Sequence, residues 1–220
     1  MKIMIPGFNS PMHLKEGVVN SLVIECPNCL LEITTDIYEQ INKRKGNIIL
    51  SENETVLDIS KIIELITQFV PFDINRKTLV TKLQKDICDK SVQLMQETSH
   101  MELAELMKFL YELLDLQDFD LILDNVDVGM LLKCANVRFS DECSSFAEEL
   151  YQYCKAVAEF ESKRLFVFVN LRCYITEKEF ELFSKTLIDH GLLALFVDNR
   201  EYKRVANENR VVMDEDLCII

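Results

Sequence analysis

The last quarter of the chain, Lys163 to Ile220, constrains the fold more tightly than any other stretch. Leu165 to Val169 is continuously apolar, as a parallel strand covered on both faces must be. Thr176 then offers a hydroxyl to cap a helix, and Glu179 completes a capping box three residues later. Phe180, Phe183 and Leu187 form the apolar face, and Gly191 supplies the left-handed stop. Leu192 to Val197 is the next buried strand. A strand–helix–strand crossover of this length is right-handed and parallel, so this end of the chain is α/β. Asp214 to Asp216 reads as a solvated acidic turn before a final apolar run.

The front of the chain has a similar grammar. Met1 to Pro6 reads as an edge strand and Ser21 to Glu25 as a buried one. Asn28 to Lys45 reads as a helix that Gly46 stops, and Asn47 to Leu50 resumes as a strand. The middle is helical. Lys61 to Val70 reads as a short apolar helix ended before Pro71. Asn75 to Gln96 aligns Leu79, Leu83, Ile87 and Leu94, and Ser99 to Leu116 aligns Leu103, Leu106, Leu110 and Leu113. Asp141 to Glu161 carries Phe146, Leu150, Tyr153, Val157 and Phe160 as a heptad-like seam. That seam packs inside its own domain or on a partner subunit. The expected architecture is an α/β body at 1–60 and 161–220, with a mainly parallel sheet, split by a mainly helical insertion at 61–160.

Composition narrows the function classes. The chain has 220 residues, 49% of them hydrophobic, enough for one good core and a helical appendage. No apolar run approaches the length that spans a bilayer. The first residues lack a secretory pattern, so a cytosolic protein with eight reduced cysteines is expected. The 24 basic residues against 37 acidic ones give a net charge of −13. Charge acts over about 8 Å in physiological salt, so an acidic exterior does not exclude a local cationic surface.

The chemistry that such a sheet commonly carries is missing. A phosphate loop needs closely spaced glycines and a lysine, and none of the five glycines opens that pattern. After the first buried strand stand Glu25, Cys26, Pro27, Asn28 and Cys29. A glutamate there repels phosphate, and Pro27 has no N–H to donate. Asn170 stands where an aspartate would hold magnesium. Nucleotide turnover is therefore not expected.

Cys26 and Cys29 form a C-x-x-C at a strand-to-helix turn, the position of a thioredoxin-like redox pair, with Pro71 downstream. Against such an enzyme stand the long helices of 75–116 where that fold wants a hairpin, and the lack of an expected strand leading into Pro71. The alternative is two small residues packing a helix start. No second Cys or His pair supports zinc. His13, His100 and His190 lack motif context and read as solvated surface.

Asp115, Asp118, Asp120, Asp124 and Asp127 crowd a strand-like segment, Phe119 to Leu123, and its flanks. Carboxylates at this density suit calcium, or are solvated acids at a turn and helix cap. Basic residues gather in the insertion: Arg76, Lys77, Lys82 and Lys85 at a helix start, Lys133 and Arg138 near its other end. Lys82 and Lys85 share a helix face. Without interleaved aromatics, single-strand binding is disfavoured.

Several blocks then match a known pattern: LITQFVPFDINRKTLVTKL (65–83), KRLFVFVN (163–170), TEKEFELFSKTL (176–187), LLALFVDNRE (192–201) and RVVMDEDLCII (210–220). In order and spacing the chain resembles the small accessory proteins of type II-A CRISPR loci, short subfamily. The resemblance implies a degenerate P-loop-NTPase-like body with a helical leg and no enzymatic activity. It implies four copies closed into a ring that encircles double-stranded DNA, loading from free ends during spacer acquisition. It also implies calcium as a structural ion of the leg, no nucleotide, and no membrane. The expected partners are the integrase and the RNA-guided endonuclease of the same locus. Lys82, Lys133 and Arg138 fall where family members place basic residues, with Lys85 and Lys77 as further DNA contacts. Asp118, Asp120, Asp124 and Asp127 fall in the acidic leg segment, as the metal ligands. A second reading is a protein scaffold for the adaptation complex with secondary DNA contact.

Overall fold

A computed structural model describes residues 1–97, 101–140 and 142–220, with the side chains of 93–97 outside the description. The chain divides into two compact units, Met1–Ile74 with Glu142–Ile220, and Asn75–Asp141. The first runs β1 (Lys2–Met4), β2 (Met12–His13), β3 (Val19–Ile24), α1 (Pro27–Ile41), β4 (Ile49–Glu52), β5 (Thr55–Val56), α2 (Ile59–Ile62) and β6 (Ile63–Ile66). The second unit holds α3 (Lys77–Glu97), α4 (Met101–Leu114) and α5 (Val128–Cys134). The first unit then resumes with α6 (Phe146–Glu161), β7 (Leu165–Val169), α7 (Glu177–Asp189), β8 (Leu193–Asp198) and β9 (Glu208–Met213).

The body is α/β, as expected. Its main sheet has five parallel strands in the order β6-β7-β8-β3-β9. The apolar run of β7 has a two-faced explanation. Leu165, Val167 and Val169 join Ile33 and Ile37 of α1 in one core cluster. Phe168 points the other way and meets Phe183 of α7 edge-on at 5.4 Å and stacks on Phe196 at 5.3 Å. Both halves of the Thr176–Glu179 capping box form, and Gly191 takes φ +69° just past the C-cap of α7. No described helix is long and apolar enough to cross a membrane.

Several elements differ from expectation. Residues 61–70 are not a helix: α2 gives way at Ile63 to β6, which pairs in parallel with β7. The β-branched Ile63 and Ile66 favour a strand, and both are buried there. A strand therefore does lead towards Pro71. Met1 to Pro6 is not an edge, because β1 pairs antiparallel with both β2 and β4. β4 thus lies in a second, four-stranded sheet, and the parallel crossover from β3 leads to β6 instead. Gly46 does not stop α1, which ends at Ile41. It is needed for close approach: a Cβ there would lie 1.9 Å from the Asp36 carboxylate, which accepts from the Asn47 N–H at 2.8 Å.

The seam on α6 is internal. Leu150, Tyr153 and Val157 are buried within the body, Phe146 meets Phe69 and Phe72 edge-on, and Tyr153 Oη donates to Glu64 of β6. The expected helix starts at Ser99 and Asp141, and His100, lie outside the described residues. α6 itself begins after the N-cap Ser145, whose hydroxyl accepts from the Glu148 N–H.

Candidate nucleic-acid interface

The second unit carries all five basic residues that the sequence marks for DNA. α3 forms because Leu79, Leu83 and Ile87 repeat along one side, and Leu79 is fully buried. At about 100° per residue, Lys77, Lys85 and Lys82 occupy an arc of about 140° away from that side, and all three are exposed.

The segment after α5 is tied back along the start of α3. Gln84 Nε2 donates to the Val137 carbonyl at 2.9 Å. The Asn75 side chain donates to the Phe139 carbonyl at 3.2 Å and accepts from the Phe139 N–H at 2.9 Å. Arg138 lies between these tethers, so its backbone runs beside the turns that carry Lys77 and Lys82. α5 packs on α3 as well: a Cβ on Gly129 would come within 3.3 Å of Cys88 Sγ. The chain from 129 to 139 therefore runs antiparallel to α3, with exposed Lys133 in the last turn of α5. Lys77, Lys85 and Lys133 have no carboxylate at ion-pair distance among the described residues, whereas Lys90 further along α3 pairs with Asp86 at 2.6 Å. The tethering residues Asn75 and Gln84 were not legible in the sequence, because an amide's partner across a loop leaves no local pattern.

The acidic segment is not a strand. Residues 115–127 are irregular, and no strand occurs among the described residues of this unit to pair with them. Asp115, Asp118, Asp120, Asp124 and Asp127 are all exposed. Asp127 is engaged as the N-cap of α5, accepting from the Met130 N–H at 2.7 Å. Among the described residues no three acidic, His or Cys side chains are grouped so that they could hold a metal ion.

The carboxyl end of the parallel sheet, where such folds hold nucleotides, is occupied by structural polar groups. The Glu25 N–H donates to the Met213 carbonyl at 2.9 Å, and Pro27 opens α1. Asn170 takes φ 57°, and its side chain accepts from the Asn199 N–H at 2.9 Å. Beside it lies a buried ionic cluster that sequence reasoning missed. Arg172 sits 3.6 Å from both Asp198 and Glu208, Arg210 sits 2.9 Å from Glu208, and the Arg172 guanidinium lies 3.7 Å over Phe180. Burial pushes Asp198 up to about 6 despite Arg172, Arg210 and Arg200. Glu208 and Arg210, two apart on a strand, share a face; that spacing was the available signal.

The remaining candidates are dispersed. His13 and His190 are exposed, and His190 Nδ1 lies 2.8 Å from the Thr186 carbonyl. Cys26 and Cys29 share the first turn of α1.

A family model described as CRISPR-associated protein (Cas_Csn2) matches residues 40–217, most of the chain. The chain belongs to that family, the one its sequence resembles, and is CRISPR-associated.

Proposed function

We propose that the protein binds double-stranded DNA without sequence preference and without catalysis, as a ring of four copies that loads from free ends during spacer acquisition. The observation that carries this reading is the gathering of Lys77, Lys82, Lys85, Lys133 and Arg138 in one compact helical unit, on exposed surface along α3 and the segment tied to it. One copy offers few cations. Closed symmetry repeats them around one hole, so a protein of net charge −13 can still neutralise many phosphates. Phosphate contacts carry no base information, hence the lack of sequence preference. The proline at the first position of α1 and the structural use of Asn170 support a body that does not turn over nucleotide. On this reading the protein acts in the cytoplasm with the integrase and RNA-guided endonuclease of its locus.

Gel retardation of linear and covalently closed duplexes of one length tests the reading. The linear form is retarded at far lower protein concentration; equal retardation of both overturns end-loading. For calcium, the support is carboxylate density in an irregular segment that no helix or strand commits to one geometry. Calorimetric titration shows saturable uptake, lost when Asp118 and Asp120 become Asn; no heat at millimolar calcium leaves the acids as solvated groups.

A second reading, a protein scaffold with secondary DNA contact, is favoured by the apolar surface of the same unit. Leu116 and Phe119 are each 76% exposed and Ile122 is 93% exposed, which suits burial against protein. Co-purification with the integrase that survives nuclease treatment supports the scaffold; its loss on nuclease treatment supports DNA as the link.

A further inference from the structure

The turn between β3 and α1 holds two cysteines that the DNA reading leaves unused. Cys26 is the N-cap of the 15-residue α1, Pro27 follows at its first position, and Cys29 completes the first turn. These are the N-cap and N3 positions, whose side chains in a capping box each reach back to the other residue's backbone N–H. In this turn both carry sulfur. The two cysteines stand three apart on one turn at a helix start, the C-x-x-C arrangement of dithiols that interconvert with a disulfide. Neither cysteine is sealed in the core. Both are half-buried, and Cys29 lines a cavity of about 780 Å³ with Leu31, Ile33 and Met213. Cys154 is the contrast: it is fully buried on α6, and burial pushes its thiol well above the ordinary range.

We propose that Cys26 and Cys29 are a redox-active dithiol that low-molecular-weight disulfides oxidise to an intramolecular disulfide. The Cys26 thiolate attacks one sulfur of the small disulfide, forming a mixed disulfide and expelling one thiolate. Cys29 loses its proton and attacks Cys26 Sγ, closing the internal bond and expelling the second thiolate. The protein loses two hydrogens and the small disulfide becomes two thiols.

The division of labour follows from position. The backbone N–H of Cys29, then its thiol, hold Cys26 below the ordinary thiol range. The hydrogen bond with Cys26, then burial, hold Cys29 above it. Glu32 opposes the thiolate at both sulfurs, so the co-substrate is a neutral or cationic disulfide rather than an anionic one. The setting is not a thioredoxin fold, since the sheet is parallel throughout. The pair is a redox handle on a different α/β body, and it does not depend on the DNA reading.

Peptide mass mapping of the intact, reduced protein after brief exposure to cystamine or hydroxyethyl disulfide tests this. A Cys26–Cys29 disulfide forms first, Cys26 reacts at least about fivefold faster than the exposed Cys134, and oxidised glutathione is slower. In Cys29→Ser the reaction stops at a mixed disulfide on Cys26; in Cys26→Ser, Cys29 reacts slowly. Modification of Cys26 no faster than Cys134, or no internal disulfide in the wild type, overturns the proposal. The wild-type map decides this even if a variant fails to fold. Equal rates with oxidised glutathione and cystamine overturn the assignment of co-substrate charge.

Discussion

The body and the insertion solve the problem of apolar surface in opposite ways. In the body, Phe166, Phe168 and Phe183 are fully buried, and both faces of the parallel sheet are covered. In the insertion, Leu79 is the one apolar side chain that is buried among the described residues, while Phe109, Leu116, Phe119 and Ile122 stand exposed. Charge divides the same way. Arg172 and Arg210 in the body are buried against Asp198 and Glu208, whereas Lys77, Lys82 and Lys85 line the outer surface of α3. The body builds a sealed two-faced core with a buried ionic cluster, although Leu31, Val56, Val70 and Leu182 stay on its surface. The helical unit buries only Leu79 among its described apolar side chains and presents both kinds of group outward.

The largest effect that can break this comparison is on stability. Phe168→Ala should destabilise the body by about 3–5 kcal/mol, read by urea denaturation. Leu110→Ala on α4, only half-buried, should cost less than about 1 kcal/mol. Equal costs would mean that the insertion has a core of its own kind.

Next in size is binding. Changing Lys82, Lys133 and Arg138 together to Glu should weaken duplex binding about 100-fold near 0.1 M salt and flatten its salt dependence, for all sequences alike. The same reversal at exposed Lys61, Lys178 and Lys185 of the body should change affinity less than about threefold. Fluorescence anisotropy at several salt concentrations separates the two sets, and equal losses would erase the distinction.

A smaller effect concerns the body's ionic cluster. Asp198 titrates at about 6 when folded, above the ordinary 3.8, chiefly through burial. The folded state therefore takes up this proton before the unfolded state does as pH falls. Its contribution is fully present below about 4 and is lost as pH rises through 6. Urea midpoints at pH 4.5 and 6.5 should differ less in Asp198→Asn than in the wild type; an unchanged difference removes Asp198 from the account. The smallest effect is on the exposed pair of Lys90 and Asp86 on α3. Asp86→Ala should cost less than about 0.5 kcal/mol by the same denaturation measurement.

What the sequence showed was local. The apolar run of β7, the Thr176–Glu179 box and the stop at Gly191 are complete within a few neighbouring residues, and each formed. β6 was hidden because Ile63 to Ile66 is a strand by virtue of pairing with β7 on the far side of the insertion. β1 was misplaced for the same reason, since its two neighbours are chosen by pairing. In the candidate interface the lysines were visible as composition. Their assembly depends on Asn75 and Gln84 reaching Phe139 and Val137, which no periodicity announces. The ionic cluster was hidden because β8 and β9 lie on opposite sides of β3, so Asp198 and Glu208 come together only in the folded sheet.

Native mass spectrometry of the intact protein, alone and with a short blunt-ended duplex, tests the central claim most directly. The account predicts four copies, with one duplex bound at low ionic strength and released as salt rises. A strictly monomeric protein that leaves the duplex free at low ionic strength would contradict it.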